Sequence, residues 1–268
     1  MHIFVINLNK RPERFKNALK NLRSVGLNDF IIRKEACTPE RAIKEYTKYI
    51  SMKAYNNITS NFVNDLIMCN WKMVACAISH IEIWKFIHEN KIKEAVIIED
   101  DILISDINKF KIVYNRGLNV LRNNSTDLKK IFLTFNKKNS FEDFTQINDA
   151  FTGIYFYMLN YNMADLLLCK IKPLTYQIDL QIGLLFKSIR SSTYNNICYN
   201  INNDCINVNK NFISDVQYYF IKLYDIYSIT KFNSDICNLI YDFLPKKQDV
   251  DFYYLNINRI HGYFYDMF

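Results

Sequence analysis

The sequence predicts an α/β fold with a mostly parallel, Rossmann-like sheet, and three observations carry that prediction. The chain opens strand–helix–strand, the pattern of a parallel pair with its crossover. A second long helix runs directly into another short apolar run, Ala95-Val96-Ile97-Ile98, which reads as a fully buried strand. That run stops at three consecutive carboxylates, Glu99, Asp100 and Asp101. Open α/β sheets bind their ligands outside the carboxyl ends of the strands, which is where these acids fall.

Each element follows from local pattern. Residues 2–8 (HIFVINL) form the first strand. Phe15, Leu19 and Leu22 recur at helical spacing in the next segment, and Gly26 suits its C-terminal cap. Residues 30–34 (FIIRK) give the second strand. Residues 38–70 are polar and weakly periodic, so small helices and loops are expected there. Residues 71–90 form a helix with Ala77, Ile81, Trp84 and Ile87 on one stripe. Residues 127–135 and 152–159 are further strands, and Asn160 caps a helix that ends before Pro173. A domain over residues 1–215 is expected. Residues 216–268 then form an aromatic-rich helical elaboration packed on it, open to roles as core, homodimer contact or acceptor platform.

Composition narrows the function classes. Half of the 268 residues are hydrophobic, enough for a sizeable core. The net charge of +7 is spread along the chain, which suits an anionic small ligand better than a nucleic-acid surface. Seven Cys, an odd number without a C-x-x-C pair, argue against a disulfide framework or structural zinc. No run approaches the roughly 18–20 apolar residues of a membrane span, and no secretory signal precedes the first strand. A cytoplasmic or viral-factory-like reducing compartment is the expected location. The abundance of Asn, Lys, Ile, Tyr and Phe matches AT-rich coding, which favours a eukaryotic-type or viral setting over a bacterial one.

Three adjacent acids repel one another unless a cation sits among them. A hard divalent ion takes oxygen ligands and bridges carboxylates to substrate phosphates, so Glu99, Asp100 and Asp101 are candidate metal ligands. After the first strand, Asn7, Leu8, Arg11 and Arg14 stand where a βα loop meets a ligand, and Arg matches phosphate geometry. His80, Trp84 and His88 share one helix face, but two His eight residues apart cannot hold one ion.

These segments resemble glycosyltransferase family 25. VINLNKRPERF (residues 5–15) is similar to that family's INLxRRxDR opening, although Asn9 stands where an acidic residue is common. ACAISHIEIWKFI (residues 75–87) resembles its GCxLSHxxxW helix, with Ala75 in place of Gly. VIIEDDILI (residues 96–104) resembles its xxLEDD strand end. Thr152 to Tyr155, Ala164 to Leu167, Gln177-Ile178-Asp179 and Ser214-Asp215 follow a weaker match.

The resemblance implies a GT-A type nucleotide-sugar transferase that needs Mn²⁺ and inverts the anomeric carbon. It implies that Asp101 ligates the ion directly, while Glu99 or Asp100 holds the ribose or the ion's waters. Asn7, Leu8, Arg11, Arg14, Ser79 and His80 would line the UDP-sugar pocket. Asp179, then Asp215, are the candidates for the base that deprotonates the acceptor hydroxyl. His261 is a weaker candidate for a further metal ligand, and Tyr155 for stacking on sugar or base. The donor would be UDP-galactose or UDP-glucose. The expected acceptor is hydroxylysine, or galactosyl-hydroxylysine, of a collagen-like protein. The alternatives are a lipopolysaccharide-type glycan acceptor, a non-catalytic glycan-binding member of the fold, and a metal-dependent nuclease or phosphohydrolase.

Overall fold

The computed structural model describes residues 1–28, 30–60, 67–123, 129–136, 144–147, 151, 153–189, 196–202 and 204–208. Asp215, His261 and the expected helical elaboration of residues 216–268 lie outside the described residues.

Strand β1 (His2–Asn7) leads to α1 (Pro12–Ser24), β2 (Ile31–Glu35), α2 (Pro39–Tyr46), α3 (Met52–Thr59) and α4 (Trp71–Glu89). Then come β3 (Glu94–Glu99), β4 (Ile102–Ile104), α5 (Ile107–Asn123), β5 (Lys130–Asn136) and β6 (Phe144–Gln146). The described chain closes with β7 (Phe156–Asn160), α6 (Tyr161–Lys170), α7 (Ile178–Ile189), β8 (Asn196–Asn202) and β9 (Ile206–Val208). Seven strands form one sheet in the order β2-β1-β3-β7-β5-β8-β6, and β4 pairs with β9 in a small second sheet. β1 runs parallel to both β2 and β3, and β5 parallel to β8. β7 and β6 run against them, so the sheet is mostly parallel with an antiparallel strand near its middle.

Both faces of the sheet are covered, which explains why its strands read as continuous apolar runs. Phe4, Ile6, Ala95, Ile97, Tyr157 and Leu159 face one core with α4, α6 and α7. Ile3, Val5, Val96, Ile98, Phe156 and Met158 face the other, with α1 and α5. The two sets alternate along each strand, as the pleat requires. On the second face α5 lies very close to the sheet. A Cβ on Gly117 would stand 2.7 Å from the ring of Phe135, so only glycine fits there.

Local signals set the helix ends. Pro12 occupies the first turn of α1, and Gly26, at φ +87°, reverses the chain after it. Asn70 and Asn160 each accept a hydrogen bond from the backbone N–H three residues on, capping α4 and α6. The strands predicted at 30–34, 127–135 and 152–159 appear as β2, β5 and β7, each shorter or shifted by a few residues. The sequence reading missed α5, α7, the strand β8 and the short strands β4, β6 and β9. α4 is so fully buried that apolar residues surround it: Met73, Val74, Ala77, Ile78, Ile81, Ile83, Trp84 and Ile87 are all inaccessible.

Candidate functional site

The carboxyl ends of β1 and β3 lie side by side, with Ile6 level with Glu99. The chain turns at Asp100 and Asp101 and leaves through β4. The three acids therefore share one edge of the sheet but point into different surroundings.

Asp100 turns toward β1 and α1. Its Oδ2 accepts a hydrogen bond of 2.6 Å from Asn7 Nδ2, and its Oδ1 stands 3.5 Å from Arg14 Nη1. Asn7 is itself fixed. Its Nδ2 also donates to the Arg11 carbonyl at 2.9 Å, and its Oδ1 accepts from Arg33 Nε at 2.9 Å and Nη2 at 2.6 Å. Arg33 lies over the Phe15 ring, 5.3 Å from its centroid. Burial raises the Asp100 pKa, and the Asn7 amide and Arg14 guanidinium oppose that rise. Leu8 and Arg11 enter through backbone: Arg11 N–H donates to the Leu8 carbonyl at 2.9 Å, which starts α1.

Glu99 turns toward α4. His80 Nε2 lies 3.4 Å from Glu99 Oε1, and His80 Nδ1 lies 3.0 Å from the Tyr157 hydroxyl. Trp84 Nε1 donates to that hydroxyl at 2.9 Å. An indole N–H can only donate, so the Tyr157 hydroxyl is free to donate its own proton to His80 Nδ1. When His80 Nδ1 accepts from that hydroxyl, Nε2–H faces Glu99. Of the predicted face, His80 and Trp84 converge on Tyr157, whereas His88 stands apart, 3.2 Å from Asp165 and stacked on Tyr161.

Asp101 is only 4% exposed, and its Oδ1 has no hydrogen-bond partner among the described residues. Burial first, then the charges of Glu99 and Asp100, push its pKa well above the ordinary carboxylate value, against a weaker pull from Arg14. A buried carboxylate oxygen without a donor is costly, so its retention needs an explanation.

Asp179 reaches the same edge from the first turn of α7. Its Oδ2 accepts from Gly153 N–H at 2.9 Å and its Oδ1 from Leu180 N–H at 2.8 Å. Burial raises its pKa, those backbone donors lower it, and Glu99 is near enough to raise it further. Gln181 holds the entry to α7 by accepting from Thr175 and Tyr176 N–H at 2.8 and 3.0 Å. Tyr155 packs beneath the turn: its carbonyl accepts from Glu99 N–H at 2.9 Å, while burial raises its phenol pKa.

The structure thus gathers Asn7, Arg14, His80, Glu99, Asp100, Asp101 and Asp179 at one edge. Ser79 is turned away from it. The hydroxyl donates to the Ala75 carbonyl at 2.8 Å and accepts from Cys37 N–H at 2.9 Å, which ties α4 to the segment after β2. Sequence reasoning missed Arg33, Tyr157 and Cys76. Arg33 carried no distinct signal, because Lys34 and Glu35 follow it in the same partly exposed strand. Cys76 lies one helical turn before His80, a spacing that puts both on one face. Tyr157 carried no signal, because a Tyr in an apolar strand is ordinarily core.

The candidate site is a set of acids at the carboxyl edge of a doubly covered sheet, beside an Asn–Arg clamp. Residues 1–182 match the sequence profile described as "Glycosyltransferase family 25 (LPS biosynthesis protein)", and the chain belongs to that family. No curated protein matches it. Among solved structures it is similar to a "glycosyltransferase involved in the glycosylation of the major capsid of PBCV-1". That similarity has 9% identity and a TM-score of 0.32, over 72% of this chain and 68% of that one. Among the described residues no helix is long and apolar enough to cross a membrane.

Proposed function

We propose that this chain transfers a hexose, galactose or glucose, from a UDP-sugar to an acceptor hydroxyl in a Mn²⁺-dependent reaction. The observation that carries this reading is the Asp101 oxygen, buried beside two other acids and without a donor among the described residues. A cation would offset the burial and the neighbouring charges that keep the Asp101 pKa high. The donor set suits a hard ion: Asp101 and Glu99 would hold it with carboxylate oxygens, and the partly exposed Glu99 side chain leaves an approach from solvent. When bound, such an ion neutralises charge that develops on the departing diphosphate.

The chain's own groups do the rest. Arg14 and Arg33 add positive charge on the β1 side, where the diphosphate would lie. His80, held by Tyr157, fixes the Glu99 carboxylate. Asp179 accepts the proton of the attacking hydroxyl. The backbone donors from Gly153 and Leu180 hold its carboxylate in one orientation. Asp215 is the second candidate for that base.

For the acceptor we propose hydroxylysine, or galactosyl-hydroxylysine, of a collagen-like protein. A lipopolysaccharide-type glycan is the second reading, favoured by the description of the matching family. The test is UDP release from UDP-glucose and UDP-galactose with Mn²⁺, beside an Asp101→Ala control. Each donor is assayed alone, with a hydroxylysine-bearing collagen peptide, and with a lipopolysaccharide core oligosaccharide. Metal-dependent release, abolished in the variant, is expected; the stimulating acceptor names the substrate class. No release with either sugar, together with no UDP binding, overturns the reading and leaves a non-catalytic member of the fold.

A further inference from the structure

We propose that Cys76, His80 and Glu99 form a second cation site, selective for a borderline-soft divalent ion of the zinc class, which shares Glu99 with the carboxylate cluster. Cys76 and His80 are one turn apart on α4, and both face the end of β3. Cys76 Sγ, a ring nitrogen of His80 and a carboxylate oxygen of Glu99 all lie within 4.8 Å of one another. Zinc bonds of about 2.0–2.3 Å in a tetrahedron place ligand atoms about 3.5 Å apart, so a small side-chain rotation closes the set. One thiolate, one imidazole and one carboxylate suit zinc and do not suit a hard ion, which prefers oxygen alone. The fourth position is left for water.

The surroundings favour a cation: Glu99, Asp179 and Asp101 all lie near enough to bear on Cys76. The same negative field attracts an incoming ion, which forms the S–metal bond as the thiol proton passes to solvent. In the bound form His80 Nε2 offers its lone pair to the ion, and Nδ1–H donates to the Tyr157 oxygen. That oxygen then accepts from both His80 and Trp84, an outer-shell contact of the kind that orients metal-bound imidazoles. Glu99 cannot serve both sites fully. Zinc at this site therefore inhibits glycosyl transfer, a consequence that rests on the proposed function, whereas the binding itself does not.

The test uses the full-length protein, reduced and freed of metal, with Co²⁺ as an optical probe and Zn²⁺ as competitor. One Co²⁺ per chain is expected to give a thiolate-to-cobalt charge-transfer band that Zn²⁺ abolishes. The band is expected to vanish in Cys76→Ser and to persist in Cys169→Ser, which removes an exposed thiol. It is also expected to persist in Asp101→Asn. Glu99→Gln should weaken Co²⁺ binding at least tenfold, and it serves as the deciding variant if Cys76→Ser does not fold. No band in the wild type, or a band indifferent to Cys76 and Glu99, overturns the site. A band that follows Cys76 in a protein without UDP-sugar turnover keeps the site and removes the proposed function. In an active protein, Zn²⁺ should inhibit the wild type and not Cys76→Ser; equal inhibition of both overturns the regulatory consequence.

Discussion

On the β1 side of the acidic turn, Asp100 meets an amide and a guanidinium; on the α4 side, Asp101 and Glu99 meet other acids and an imidazole. One peptide bond separates two carboxylates of opposite circumstance. Asp100 has its counter-charge built in, so it works as scaffold, locking the first βα loop onto the turn. Asp101 Oδ1 is buried without a donor among the described residues, and against burial and two neighbouring acids it has only the weaker pull of Arg14, so its charged form is costly. The difference teaches that a run of acids is not one site: the partners supplied from elsewhere in the fold divide its members.

The comparison breaks most visibly if the two residues respond alike to the same change. Asp101→Asn should lower UDP-sugar turnover about a hundred- to a thousand-fold, the range for loss of one charge-stabilising group. Its thermal midpoint should stay level or rise, because an unpaired buried charge is gone. Asp100→Asn should instead change denaturant stability little, because an amide oxygen can keep the Asn7 contact, while the lost Arg14 contact is offset by removing the cost of burying the charge. Equal loss of turnover in both variants would erase the distinction.

Metal removal sharpens the contrast further. Asp100, Asp101 and Asp179 all have raised folded-state pKa values, Asp101 markedly so. Their contribution to stability is therefore full below the ordinary carboxylate range and is lost as pH rises through their folded values. Chelator-treated protein should melt at progressively lower temperature from mildly acidic pH toward neutrality, and Mn²⁺ should restore the loss. Asp101→Asn should flatten the slope and blunt the Mn²⁺ effect. A slope unchanged in that variant would assign the effect to the other two acids.

The smallest effect is a control. Tyr114 is buried on α5, and its hydroxyl also lacks a partner among the described residues; burial pushes its pKa to about 12. It lies outside the site, so Tyr114→Phe should gain about 1 kcal/mol with turnover unchanged. If that variant loses activity, an unpartnered buried polar group does not by itself separate function from packing.

Much of this was legible in advance. The apolar runs at 3–6 and 95–98 identified central strands because both faces of the sheet are covered. Asn160 and Gly26 marked helix ends through backbone chemistry that acts within a few residues. α5 was overlooked although its packing is specific: Gly117, its closest approach to Phe135, reads as a helix weakener until the neighbouring strand is seen. The short strands β4 and β9 carry no periodic signal, and they exist because they pair with each other.

The sequence by itself determined the strand that ends in Glu99, Asp100 and Asp101, the Asn7–Arg14 loop after β1, and the Cys76–His80 spacing on α4. Local pattern is enough for these, because strand pleat and helical pitch are set by the backbone. Only the tertiary structure decided which acid is neutralised, that Ser79 turns to Cys37 while His80 turns to Glu99, and that Asp179 arrives beside them. Those outcomes depend on contacts across 93 residues between Asn7 and Asp100 and 77 between His80 and Tyr157. The charge state of a buried group is set by its spatial neighbours and its loss of water, and neither is a property of adjacent residues.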